Sequence, residues 1–141
     1  MEGLIHQEYP VEKGDYTSAG QASADMKRRL RQLGVSANVM RRVAVASYEV
    51  ELNLVIHSLG GKLVFDVDSE GVSLISKDRG PGIPDIELAM KEGYSTADDE
   101  ARSLGFGAGM GLPNMKRNAD GFRIESEVGV GTTIEMRFLL S

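Results

Sequence analysis

From about Ala37 to His57 the chain reads as one long helix that is apolar on most of its sides. Val39, Met40, Val43, Val45, Ala46, Val50, Leu52, Leu54, Val55 and Ile56 are spread around it. A helix of that kind belongs in the middle of its fold, covered from more than one side. Glu49 and Asn53 interrupt the apolar surface. They are four residues apart and share a face. A carboxylate and an amide there would cost several kcal/mol if buried unpaired. Both are accounted for if that face lines a polar cavity. Glu51, two residues on, is expected to face solvent.

The segments around this helix supply its cover. Leu4 to Val11 reads as an edge strand and Lys13 to Ser18 as a loop. Gln21 to Leu33 reads as a helix with Ala22, Met26, Leu30 and Leu33 on one stripe. Gly34 fits its end, and Ser36 fits the cap of the long helix. Gly60-Gly61 ends that helix. Leu63, Phe65 and Val67 then alternate with Val64, Asp66 and Asp68 at strand period. Ser69-Glu70-Gly71 is a hairpin turn, and Val72 to Lys77 is the returning strand. After the loop Asp78 to Ile83, Pro84 opens a short helix to about Glu92. Gly93 to Leu104 is polar, Pro113 to Ala119 is helical, and Phe122–Glu127 and Thr132–Leu140 are strands around a turn at Val128–Gly131. The order predicts an α+β fold: a two-layer sandwich with a mixed, mostly antiparallel sheet and helices on one face. Residues 1–141 are expected to form a single domain.

Glycine marks the chemistry. Seventeen of the 141 residues are glycine, about 12% against roughly 7% in average usage. The excess clusters in Gly105-Phe106-Gly107-Ala108-Gly109-Met110-Gly111-Leu112. Such a run turns successive backbone N–H groups toward one point, and the helix that follows adds its partial positive charge, so it suits phosphate. The familiar phosphate loops do not match it. No Gly-Lys-Ser/Thr is present; Gly61-Lys62 is followed by Leu63. The G-x-G-x-x-G spacing fails at Met110 and Leu112, and the segment before the run is charged rather than a buried strand. The HRD and DFG elements of eukaryotic-type kinases are absent.

A second glycine loop, Asp78-Arg79-Gly80-Pro81-Gly82, follows a strand. Its carboxylate can accept from an exocyclic amine, and its glycines allow a ring close to the backbone. Four elements in order now resemble the GHKL ATPase superfamily, which includes gyrase, Hsp90, histidine kinases and MutL. Glu49-Val50-Glu51-Leu52-Asn53 resembles its N-box. Asp78 to Gly82 and Gly105 to Leu112 resemble its two glycine boxes, and Gly129-Val130-Gly131-Thr132-Thr133 its closing G-T box. The compact size, the E-x-x-x-N-x-x-x-H helix ending at His57 and the strand Gly131–Met136 are similar to the bacterial anti-sigma-factor and switch-protein serine kinases.

The resemblance implies ATP and Mg²⁺ as cofactors. It implies Glu49 as general base and Asn53 as the Mg²⁺ ligand. Asp78 would bond the adenine amine, with Ile83 and Met110 against the ring and Thr132 or Thr133 supporting that network. Gly80 and Gly82 would shape the loop. Gly105, Gly107, Ala108, Gly109, Met110, Gly111 and Leu112 would wrap the phosphates, and Ser95 to Leu104 would form a lid whose Arg102 is a candidate for the γ-phosphate. The implied reaction is transfer to a serine of a STAS-type anti-anti-sigma partner. A sigma factor is a second candidate partner, and a homodimer through the first strand and helix is a further option. Two alternatives stay open: a module that sequesters its partner without chemistry, and a histidine-kinase catalytic domain standing alone. About thirty residues precede the N-box helix, too few for a phosphoacceptor helix pair.

Composition removes other classes. There are no cysteines and two histidines, so disulfides, thiol catalysis and zinc ribbons are out. The net charge of −5 disfavours nucleic acid as a partner. No apolar run approaches the ~20 residues of a membrane span, and the first residues lack the pattern of a secretory signal, so a cytoplasmic location is expected. The Lys27-Arg28-Arg29-x-Arg31 cluster fits a solvated helix face or a dock for an acidic partner. Lys116 and Arg117 suit the end of a helix.

Overall fold

The computed structural model describes residues 4–91 and 111–140. Among the described residues, five strands form one sheet: β1 (Ile5–Val11), β2 (Gly61–Val67), β3 (Gly71–Asp78), β4 (Gly121–Glu127) and β5 (Gly131–Leu139). Their spatial order is β1-β2-β3-β5-β4, and all four pairings are antiparallel. The sheet expected to be mostly antiparallel is therefore wholly so among the described strands. The chain crosses from β3 to the far edge before β4, and the β4–β5 hairpin then inserts β5 beside β3.

The described helices are α1 (Gln21–Gln32), α2 (Ala37–His57), a single turn α3 (Ile86–Ala89) and α4 (Gly111–Asn118). Three of the helix boundaries have a local cause. Ser36 Oγ accepts from Val39 N at 3.3 Å and starts α2. Gly34, at φ +75°, ends α1. Val35 N donates to Leu30 O, and Gly34 N to Arg31 O, both at 3.1 Å. Those two bonds are a Schellman stop. Asp85 accepts from Leu88 N at 3.0 Å, so α3 starts at Ile86 rather than at Pro84.

The core lies between the helices and one face of the sheet. Met26 and Leu30 of α1, Val43, Val50 and Leu54 of α2, and Met115 of α4 pack on Leu63, Phe65, Leu74, Met136 and Phe138. The predicted alternation in β2 holds: Leu63, Phe65 and Val67 are buried.

A further expectation fails. Glu51 does not face solvent; it is 3% exposed. Its Oε1 accepts from Ser23 N at 3.0 Å and its Oε2 from Ala22 N at 3.2 Å. The residue before α1 is Gly20, which has no side chain to cap the helix. Glu51 of the neighbouring helix satisfies those first-turn N–H groups instead and fastens α1 to α2.

Candidate functional site

Helices α2 and α4 run side by side in opposite directions. Asn53 lies beside Gly111, Glu49 beside Asn114, and Arg42 beside Asn118. Arg42 Nη1 donates to Asn118 O and to Asp120 Oδ2, each at 3.1 Å, which locks the register. Gly111 is therefore set against the polar face of α2. A β-carbon there would stand 3.3 Å from Asn53 Oδ1 and 3.4 Å from Glu49 Oε2. The absent side chain leaves space in which an oxygen of each group converges at the first residue of α4.

The second part of the site is at the end of β3. Asp78 Oδ1 accepts from Thr132 N at 2.9 Å. Burial pushes the Asp78 carboxyl above its ordinary pKa, and the Thr132 N–H opposes that push. Gly131, at the start of β5, has to be glycine: its φ is +159° and a β-carbon would lie 2.1 Å from Asp78 O. Gly82 (φ +75°) passes Glu127, whose carbonyl oxygen a β-carbon would meet at 2.5 Å. Gly80 is stacked on the end of α2, 3.3 Å from Ser58 Cα by the same measure. The Asp78 loop is thus joined both to the β4–β5 hairpin and to the helix that carries Glu49 and Asn53.

Ser126 ties this loop together. Its Oγ accepts from Ile83 N at 2.7 Å, donates to Gly131 O at 3.2 Å and meets Thr132 Oγ1 at 2.8 Å. Thr132 is therefore the threonine of the Asp78 network. Thr133 alternates to the opposite face of β5 and pairs with Lys77 across the sheet. Leu112 is buried in the core beneath the start of α4.

The structure thus brings Glu49, Asn53 and Gly111 together at one place, and Asp78, Gly80, Gly82, Ile83 and Thr132 at another. Gly105, Gly107, Ala108, Gly109, Met110, the Ser95–Leu104 segment and Arg102 lie outside the described residues. Sequence reasoning missed Asn114 and Ser126. Asn114 had a signal: it is three residues after Gly111 and so on the same helix face. Ser126, a polar residue in a strand, had none. Among the described residues no group of three or more His, Cys, Asp or Glu is placed to hold a metal ion.

Residues 38–141 match the family described as histidine kinase-, DNA gyrase B- and HSP90-like ATPase. The chain belongs to the GHKL ATPase family. Within it, this GHKL protein is 34% identical over 109 residues to the serine/threonine-protein kinase RsbT of Bacillus subtilis, covering 74% of this chain and 76% of the relative. It is 30% identical over 114 residues to the anti-sigma F factor of Clostridium novyi, covering 77% and 76%. The anti-sigma F factor of Geobacillus stearothermophilus is 29% identical over 112 residues, covering 75% and 73%. The GHKL protein sits in the anti-sigma kinase branch, and ATP is its nucleotide. No helix among the described residues is long and apolar enough to cross a membrane.

Proposed function

We propose that this chain is a cytoplasmic, ATP- and Mg²⁺-dependent serine kinase of the anti-sigma type. In this reading residues 1–141 work as one ATP-binding domain, and the acceptor is a serine of a STAS-type partner. The observation that carries it is the convergence of Glu49 Oε2 and Asn53 Oδ1 on Gly111 at the start of a helix.

The Asp78 loop holds the adenine end. Its carboxylate, fixed by the Thr132 N–H, is an acceptor for the exocyclic amine. Ile83 is positioned beside it by Ser126. The start of α4 offers backbone N–H groups and the positive end of the helix to phosphate oxygens. Asn53 supplies a neutral oxygen ligand for Mg²⁺, and the gap at Gly111 supplies room. One amide ligand suits this ion, which takes much of its coordination from phosphates and water. When bound, Mg²⁺ neutralises phosphate charge. Glu49 accepts the proton of the serine hydroxyl as the serine oxygen bonds to the γ-phosphorus. The bond from that phosphorus to the β–γ bridging oxygen breaks, giving phosphoserine and ADP.

The test is incubation with Mg²⁺, γ-labelled ATP and a STAS-domain protein from the same genome. Label should enter the serine-bearing partner and not its Ser→Ala variant. The likeness to anti-sigma F factors supports a second reading, ATP-dependent capture of a sigma factor. Nucleotide-dependent complex formation without label transfer would favour that one.

A further inference from the structure

The two oxygens of the Glu49 carboxylate have different surroundings. Oε1 accepts a hydrogen bond from Asn114 Nδ2 at 3.3 Å. Oε2 faces Gly111. Asn114 is itself held, because its Oδ1 accepts from Arg117 Nη1 at 3.1 Å. A guanidinium only donates and a carboxylate only accepts. An amide between them therefore has one orientation, oxygen toward the arginine and nitrogen toward the glutamate. Flipping it would lose both bonds. Asn118 steadies the same turn of α4, its Nδ2 donating to Asn114 O at 2.8 Å. Gly111 and Asn114 thus act on Glu49 from one helix face: the glycine clears the space before Oε2, and the asparagine engages Oε1.

We propose that Asn114 is a positioning residue for phosphotransfer. By engaging Oε1 it fixes the rotation of the Glu49 carboxylate, so that Oε2 is the oxygen that receives the serine proton. Arg117 in turn sets the orientation of the Asn114 amide. This rests on the kinase reading above. Without Asn114 the carboxylate turns about its last bond and spends less time aimed at the acceptor. A small misalignment of a reacting group is expensive in rate, on the order of 10²-fold for about 1 Å.

The test compares Asn114→Leu, which keeps the volume and loses the donor, with Asn114→Gln, which keeps a donor. Asn114→Leu should lower kcat by about 10- to 100-fold while leaving KM for ATP unchanged, and Asn114→Gln should recover part of the loss. In a Glu49→Gln background Asn114→Leu should add no further loss, because the oxygen it aims is gone. A purely structural role would instead lower Tm and cost the same in both backgrounds. A wild-type rate for Asn114→Leu, or equal losses in both backgrounds, overturns the proposal. A readout apart from catalysis is the side-chain amide of Asn114 in ¹⁵N NMR spectra. Its two proton resonances should move in Glu49→Ala; if they stay in place, the bond and the proposal fail. A wild-type rate for Glu49→Gln sinks the assignment of Glu49 as base, and no transfer by the unaltered protein sinks the kinase reading; in either case the amide resonances still decide whether Asn114 holds Glu49.

Discussion

Gly111 stands so close to Glu49 that a single methyl group would touch the carboxylate: the added carbon would lie 3.4 Å from Oε2, and 3.3 Å from the oxygen of Asn53. The residue is a glycine in α4, and glycine is a poorer helix former than alanine. On the proposed reading, its reason for being glycine is the site. Gly111→Ala should leave the fold and Tm unharmed, and cut both the Mg²⁺-ATP-induced thermal shift and the transfer rate, the latter by ~10-fold or more. Thermal melts with and without Mg²⁺-ATP measure the first effect. An unchanged nucleotide shift would place the phosphates elsewhere.

On the proposed reading, Asp78 gives ATP binding a pH dependence. Burial raises its carboxyl above the ordinary value, with the Thr132 N–H pulling the other way. As pH falls it takes up a proton earlier than an exposed aspartate does. The protonated group is a poorer acceptor for the adenine amine. ATP affinity should therefore begin to drop above the usual carboxylate range, while Asp78→Asn should bind about 10- to 100-fold more weakly at neutral pH, the worth of one hydrogen bond to a charged group. Titration calorimetry between pH 4.5 and 8 checks both.

Glu51 is predicted to matter for stability alone. It caps α1 through Ala22 N and Ser23 N, on a different face of α2 from Glu49. Glu51→Ala leaves those two donors without their acceptor, and should cost about 2 kcal/mol. Glu51→Gln, with one acceptor oxygen left, should cost less. Denaturant melts measure the loss, and ATP affinity of the folded fraction should be unchanged.

The link between β1 and α1 should fail in acid. Asp25 accepts from the Tyr9 hydroxyl at 2.5 Å and from Arg29 Nε at 2.8 Å, and it also pairs with Arg28. These bonds, Tyr9 first, hold the Asp25 carboxyl well below the ordinary carboxylate value. A carboxylate depressed in the folded state stabilises the fold fully above its unfolded pKa, and the contribution is lost as pH falls toward the folded one. Asp25→Asn should lower Tm at pH 7 and flatten the decline of Tm between about pH 5 and 2. An equally steep decline in the variant would assign the acid sensitivity to other groups.

Much of the fold was legible because its signals are local. The alternation of Leu63, Phe65 and Val67, the cap at Ser36 and the stop at Gly34 each depend on a few neighbouring residues, and each appears where expected. The Glu49–Asn53 pair was visible as polar residues on an apolar helix, and Asp78 through the glycine loop that it opens. Glu51 was not, because its role depends on a glycine 31 residues earlier that leaves a helix end uncapped. The choice of Thr132 over Thr133 turns on strand register, which a pair of adjacent threonines does not reveal. Ser126 became evident only when β4 was laid on β5, and the partner of Asn114 only when α4 was laid on α2.

The most direct test of the account is the fate of Glu49→Gln in a single assay that reads ATP binding and transfer together. The substitution keeps the size of the side chain and removes its capacity to take a proton. The account predicts a Kd for Mg²⁺-ATP within a few-fold of the unaltered protein, and transfer to the partner's serine slower by about 10²- to 10⁴-fold. Transfer at the unaltered rate, with ATP bound as before, would contradict it.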